Sequence, residues 1–407
     1  MISVEEATRQ VLATARPLPT ETVPLAAALG RVLRQDIAAD RDFPPFDRVA
    51  MDGITLVYSA IADGQTEFML EGTQFAGQAP TPLSDPTAAL EIMTGAMLPP
   101  GADTVVRYED VDITAQPDGC HLATVRVLPP QAGHNVHRRA TDRRQGDVLL
   151  PTGTLLGPAE LAVAATVGAT ELTVARHPRV AVVSTGDELV DIGKEPLPYQ
   201  IRRSNAAMLE AAVVQMGATA ECFHFNDDPE ALRQGLPPLL LGYDAVLLSG
   251  GVSKGKADFL PAALCEAGVE QLFHEVQQRP GKPFWFGRHP QGATVFALPG
   301  NPVSTFVNYY RYAAPWLRAV QHPTLEAGAP TYAVLATDVT FRPPIVHFLL
   351  VSLASAPDGR LLATPERAHG SGDLASLLPS SGFLELPADQ TEFAAGTAWP
   401  VWIFRKF

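Results

Sequence analysis

Cysteine is scarce in this chain of 407 residues. Cys120, Cys222 and Cys265 are odd in number, far apart and never part of a CxxC pair. A disulfide framework and a cysteine-built zinc site are therefore not expected, and a reducing compartment fits. The ten histidines contain no HxxxH or HExxH spacing, which removes support for zinc hydrolysis. No Ser-His-Asp pattern is visible, and neither Ser184 nor Ser253 has a histidine close by. Long hydrophobic runs are also missing: nothing reaches the roughly 18 apolar residues of a membrane span. The first ten residues, MISVEEATRQ, have two acids before any base and no apolar segment, so no secretory leader is expected. These absences together predict a cytoplasmic protein. Positive charge is in deficit too. With 44 acids against 30 Lys and Arg, the formal net charge is −14. Such a chain repels nucleic acid and anionic membrane, so neither is expected as a partner. An anionic small substrate then needs a pocket with its own local cations.

What is present is a soluble globular composition, 46% apolar and 18% charged, in a chain long enough for several domains. The 37 prolines predict many short, irregular connections. Ser3 followed by Glu6 resembles a capping box and predicts a helix to about Ala15. A second helix is expected over Val23 to Leu33. The proline-stiffened run from Asp40 to Asp47 marks a break. From about 46 to 140 the chain reads as short strands, and GPAELAVAATV at 157–167 as a helix. Beyond Pro178, strands at 179–183, 219–225, 243–248, 270–276 and 293–298 are interspersed with helices at 204–216, 228–240, 257–267 and 302–320. That alternation predicts an α/β domain with a doubly wound, mainly parallel sheet. From about 326 onward short strands return, and a small β-barrel or sandwich is expected. The fold class is multidomain α/β plus β.

The stretch Ser249-Gly250-Gly251-Val252-Ser253-Lys254-Gly255-Lys256-Ala257-Asp258 carries the most information. It follows an apolar strand and precedes a helix, which offers bare backbone N–H groups to an anion. Two other strands end in unusual loops, Ser184-Thr185-Gly186-Asp187-Glu188 and Leu298-Pro299-Gly300-Asn301-Pro302. In open parallel sheets, ligands sit outside the C-terminal strand ends, so all three loops are expected at one edge. Taken alone, Ser-Gly-Gly is equally compatible with an ordinary tight turn. Glu188, Asp228 and Asp258 lie where oxygen ligands for Mg²⁺ bridging to a phosphate are expected. The alternative is that they complement helix dipoles, most plainly at Asp227 and Asp228 before a proline. Arg279-Pro280-Gly281-Lys282-Pro283 is locally rigid and suits positioning of a cation, with a plain surface turn as the alternative.

Further motifs complete the pattern: Pro44-Pro45-Phe46-Asp47-Arg48-Val49-Ala50-Met51-Asp52-Gly53, and Met93-Thr94-Gly95-Ala96 followed by Gly101-Ala102-Asp103. In this order, with STGDEL, SGGVSKGKAD, RPGKP and LPGNPVS, they closely resemble the molybdopterin molybdenumtransferases, the MoeA and gephyrin C-terminal-domain family. The resemblance covers nearly the whole chain. It implies an extended N-terminal and linker domain (1–45 and 141–177), a small β-rich domain (46–140), an α/β molybdopterin-binding domain (178–325) and a C-terminal β-barrel domain (326–407). It also implies a homodimer with its active site shared between subunits, and a molybdopterin adenylyltransferase as upstream donor. The implied reaction inserts molybdenum from molybdate into adenylylated molybdopterin with Mg²⁺ and releases AMP. Carried over, the acids are Asp52, Asp142, Glu188, Asp228 and Asp258, the last three holding metal. Thr94, Ser249, Gly250, Gly251 and Ser253 fall on the substrate side. Arg279 and Lys282 are implied to hold oxyanion oxygens, Pro299 and Pro302 to shape the pocket, and Ser371 matches the family's Gly-Ser element.

The chain departs from the family at several places. Arg48-Val49 stand where Asn-Ser is usual, Ile54 where Tyr is common, and Arg279 where Lys is common. Leu350 stands where an oxyanion-binding arginine is expected, so Arg342 or His347 is the substitute to look for. Leu350 motivates a second reading, a non-catalytic molybdopterin carrier or scaffold. A third is a related enzyme on the same α/β fold, an adenylyltransferase or nucleotide pyrophosphatase, against which the two flanking β regions count.

Overall fold

Val180, Ala181, Val182 and Val183 are all fully buried, and this β-branched run forms the middle of the principal sheet. A computed structural model describes residues 1–252, 259–322, 330–367 and 370–406. The chain divides into two units, one of Met1–Val23, Gly30–Arg34 and Thr173–Phe407, the other of Pro24–Leu29 and Gln35–Leu172.

The larger unit begins with α1 (Val4–Ala13), where the Ser3 hydroxyl accepts from the Glu6 N–H at 3.2 Å, the expected cap. Then follow β1 (Arg179–Thr185), α2 (Ser204–Gln215), β2 (Thr219–Phe225), α3 (Pro229–Gly242), β3 (Ala245–Ser249), α4 (Leu260–Glu266), β4 (Glu270–His274), β5 (Gln278–Arg279), β6 (Trp285–Arg288), β7 (Thr294–Leu298) and α5 (Pro302–Asn308). The main sheet has the order β2-β1-β3-β7-β6-β4. Its first three pairings are parallel, while β7–β6 and β6–β4 are antiparallel. The sheet is therefore mixed. β6 was not among the expected strands, and the short links on either side of it can only join antiparallel neighbours. The long C-terminal helix is interrupted by a π turn at Tyr309–Ala313 before α6 (Ala314–Gln321).

The remaining strands are β8 (Tyr332–Leu335), β9 (Val346–Ser355), β10 (Leu361–Pro365), β11 (Gly382–Leu386) and β12 (Ala398–Ile403). They close in the order β9-β10-β8-β12-β11 and back to β9, a five-stranded barrel. Closure depends on β9 being ten residues long: its first half pairs with β11 and its second half with β10. β5 lies parallel along β9, with Gln278 opposite Val346 and Arg279 opposite His347.

The smaller unit holds a six-stranded mixed sheet in the order Thr104–Arg107, Gly53–Leu56, Ala89–Ile92, Glu67–Gln74, His121–Val125, Val111–Ala115. Gly53 is obligatory there, since a Cβ would fall 2.0 Å from the Val106 carbonyl oxygen. One expected helix is absent. Thr20–Pro24 is extended and Leu25–Ala27 is a 3₁₀ turn, because β-branched Thr20, Thr22 and Val23 and then Pro24 oppose an α-helix. Ser204 is the first helical residue of α2 and not its cap, a position held by Arg203.

Candidate active site

Three parallel strands deliver their loops to one edge. β1 ends at Thr185, β3 at Ser249 and β7 at Leu298, and the register aligns Ser184 with Ser249 and Ser249 with Leu298. Outside these ends lies a cavity of about 550 Å³. Glu188, Ser249, Gly250, Gly251, Pro299 and Pro302 line it, as the three-loop reading expects. Gly250 (φ +103°) and Gly251 (φ +67°) both occupy the left-handed region, and a Cβ on Gly250 would lie 3.0 Å from the Thr185 carbonyl oxygen. Bare backbone is what fits against Thr185.

Asn205, in the first turn of α2, is a lining residue that the motifs did not indicate. Its Nδ2 donates to Ser249 Oγ and the Gly300 carbonyl, both at 2.8 Å. The Gly300 carbonyl can only accept, so the amide orientation is fixed. Asn205 thereby ties the β3 loop to the β7 loop. The available signal was an Asn just inside a helix start, where its side chain can reach neighbouring backbone.

The acids divide. Glu188 lines the cavity and its carboxylate lies over Gly186, with no hydrogen bond or ion pair to another described residue. Asp228 lines neither cavity; it caps α3 by accepting the Glu230 N–H at 3.0 Å. Its neighbour Asp227 lines the cavity instead. Ser253 and Asp258 lie outside the described residues. Among the described residues no three His, Cys, Asp or Glu side chains gather as a metal cluster.

A second cavity of about 530 Å³ shares Pro283, Pro299 and Asn301 with the first. Arg279, Lys282, Glu366 and Ser371 line it. Asn301 Nδ2 donates to Ser371 Oγ at 2.9 Å, and the Val303 N–H donates to the Ser371 carbonyl at 3.0 Å. On the barrel side of this cavity Phe341, Phe348, Leu349 and Leu350 stand beside His347 and Glu366. Leu350 is 4% exposed and belongs to the core as well as the lining. Neither proposed substitute supplies a cation there. His347 stacks on Phe341 with ring centroids 4.0 Å apart, and burial, then the charge of Arg279, pushes its pKa down to about 4. Arg342 is exposed and lines neither cavity.

In the smaller unit, Asp52 and Thr94 meet. Asp52 Oδ1 accepts the Thr94 N–H at 2.6 Å, and that backbone bond, then the Thr94 side chain, holds the Asp52 carboxyl below its usual range. Asp142 is joined to His137 Nε2 at 3.0 Å, and His137 Nδ1 to Arg48 at 3.1 Å. A guanidinium only donates, so Nδ1 accepts and Nε2 carries the proton given to Asp142. Arg48 and His137 are register partners on paired strands. The departure at Arg48 thus has a structural use, holding the histidine that holds Asp142.

Glycine-turned strand ends at a mixed α/β sheet, beside a pocket bearing Arg279 and Lys282, define an α/β protein with a candidate ligand site at its sheet edge. Comparison with known proteins narrows the class. Residues 2–168 match the MoeA N-terminal region (domain I and II), 181–319 a probable molybdopterin binding domain, and 332–404 the MoeA C-terminal region (domain IV). A molybdopterin molybdenumtransferase of Synechocystis sp. is 37% identical over 405 residues, 98% of this chain and 99% of the relative. One of Bacillus subtilis is 31% identical over 410 residues, 100% of this chain and 94% of the relative. A crystal structure of the molybdopterin biosynthesis moeA protein from Pyrococcus horikoshii superposes with a TM-score of 0.84 at 29% identity and full coverage of both chains. The chain belongs to the MoeA family of molybdopterin molybdenumtransferases.

Proposed function

We propose that this chain inserts molybdenum from molybdate into adenylylated molybdopterin and releases AMP. The observation that carries the reading is the joining of two cavities. Loops that look like separate motifs in the sequence line one cavity of strand-end backbone and an adjoining one of two cations, with Pro283, Pro299 and Asn301 common to both. Such a pair suits a substrate with a phosphate-bearing pterin portion and a separate tetrahedral oxyanion.

In this reading Ser249, Gly250 and Gly251 present backbone to the substrate's phosphates, with Asn205 holding that loop to Gly300. Arg279 and Lys282 hold oxyanion oxygens as charge-assisted donors. Pro299 and Pro302 shape the first cavity, and Pro283 and Pro299 stiffen the divide, since proline fixes φ and brings no N–H. Ser371 is held by Asn301 at the edge of the oxyanion pocket. Asp52, Thr94 and Asp142 act from the smaller unit, and the family resemblance supports a homodimer with an active site shared between subunits. A molybdopterin adenylyltransferase is the upstream donor in this scheme. Mg²⁺ ordinarily takes only one or two protein carboxylates plus phosphate oxygens and water. Glu188, which lines the first cavity and has no side-chain partner among the described residues, fits such a donor. Asp228 fits less well because its carboxylate caps α3. Asp258 is retained on the family resemblance. Bound there, the ion supplies charge neutralisation at the phosphoanhydride.

The test is incubation of the purified protein with adenylylated molybdopterin, molybdate and Mg²⁺. AMP release with a molybdenum-bearing cofactor is expected; the absence of both rejects the proposal. Leu350 in the lining of the second cavity supports one other reading, a molybdopterin carrier. Tight molybdopterin binding without turnover, with turnover gained in Leu350→Arg, would establish it. Under the transferase reading Leu350→Arg instead leaves turnover no higher and destabilises the fold by about 1–3 kcal/mol, because a charged group replaces a core side chain.

A further inference from the structure

We propose that a buried polar network under the second cavity, Gln278–Asn308–Tyr312, positions Arg279 and Lys282 and so sets how tightly a tetrahedral oxyanion is held. The inference rests on the reading above that these two cations face molybdate.

Gln278 and Asn308 are 0% exposed and Tyr312 is 1% exposed. Nearby in the same core are Phe284, Phe296 and Trp316, a setting in which apolar side chains would pack without polar cost. The polar groups present are directed at one loop. Gln278 Nε2 donates to the Gly281 carbonyl at 3.1 Å, to the Pro280 carbonyl at 3.3 Å and to Asn308 Oδ1 at 2.6 Å. Asn308 Nδ2 donates to the same Gly281 carbonyl at 3.1 Å. The Tyr312 hydroxyl donates to Gln278 Oε1. Backbone carbonyls only accept, so the orientation of both amides is fixed by the loop they hold.

The loop lies directly on this network. Gly281 has φ +86°, and a Cβ there would fall 2.4 Å from Asn308 Oδ1. On one side of Gly281, Arg279 is tied into the barrel through its register partner His347. On the other, the Lys282 carbonyl accepts the Val276 N–H at 3.0 Å. Both backbone carbonyls between the two cations, those of Pro280 and Gly281, are thereby held from beneath. Tyr312 belongs to the π turn and Asn308 precedes it, and π turns concentrate at functional sites. In the same turn Arg311 pairs with Glu385 of β11 at 2.8 Å, so one segment grips both the loop and the barrel. Asn308 and Tyr312 line neither cavity, which makes them positioning residues.

The experiment uses the full chain and varies molybdate and adenylylated molybdopterin separately. Tyr312→Phe removes one oxygen and keeps the ring; Asn308→Ala removes the contact to Gly281. Both are expected to raise half-saturating molybdate roughly tenfold, as displaced binding groups do, with half-saturating adenylylated molybdopterin changed less than about twofold. Val307→Ala, an apolar truncation in the same helix, should lower Tm without splitting the two values. If Asn308→Ala does not fold, Tyr312→Phe alone decides. Equal shifts in both values, or none, overturn the proposal. Lys282→Ala separates it from its premise. If Lys282→Ala leaves molybdate saturation unchanged, the assignment of the cations fails. If it raises half-saturating molybdate and Tyr312→Phe does not, only the network's role fails.

Discussion

His347 shows how a single side chain translates the site's environment into a pH response. In the unfolded chain its imidazole takes a proton near pH 6.5, whereas in the fold burial and Arg279 delay this to about 4. The folded pKa is depressed, so the contribution to stability is complete above about 6.5 and is lost as pH falls toward 4. The loss amounts to about 3 kcal/mol. His347→Phe, which preserves stacking on Phe341, should remove this portion of the acid destabilisation. Denaturant unfolding at stepped pH measures it, and an undiminished decline between those values in the variant refutes the assignment. Asp52 behaves with the opposite charge. Its carboxylate is exposed but accepts the Thr94 N–H, so it stays ionised to lower pH than a free aspartate. A carbon-detected NMR titration should place its midpoint below about 3.9, and a midpoint at or above that value would count against the bond.

At the scale of elements, the first turn of α5 joins the two cavities. Asn301 occupies its N-cap position without a side-chain cap bond and reaches Ser371 instead. Asn301→Ala should therefore free the 370–372 segment while leaving the parallel strands intact. Hydrogen exchange is expected to rise there and not in β3 or β7; equal protection in both proteins would reject the link. The elements legible in the sequence were those with a single dominant pattern. β1, β3 and β7 are apolar or β-branched runs bounded by turns, and α1 has its cap written in Ser3. Less legible were elements decided by distant partners. β6 is short and lies close behind Pro283, and what makes it a strand is pairing on both sides, which no local pattern shows. The stretch after Thr20 was misread because leucines and alanines from 25 to 29 mimic a helical face, while Pro24 and the β-branched residues before it decide the backbone. In the site, strand-end loops and RPGKP were visible because glycine and proline leave a signature. Asn205, Asn308 and Tyr312 were not, since a buried amide or phenol looks ordinary until its acceptors are known.

For the whole molecule, a shared site predicts complementation. Asp52→Asn and Lys282→Ala chains, assayed at a molybdate concentration low enough that each alone turns over little, should regain about a quarter of wild-type turnover when denatured together and refolded, because half the dimers are mixed and each rebuilds one of two sites. No regain at any mixing ratio would show that each subunit works by itself. The divide formed by Pro283, Pro299 and Asn301 has a consequence on a longer timescale. Leu350 alters the lining of one cavity and does not touch the other, whose Ser249, Gly250 and Gly251 conform to the family pattern. Under the proposed function, a partition of this kind insulates inheritance: one chamber can drift toward another oxyanion while selection keeps the neighbouring chamber unchanged.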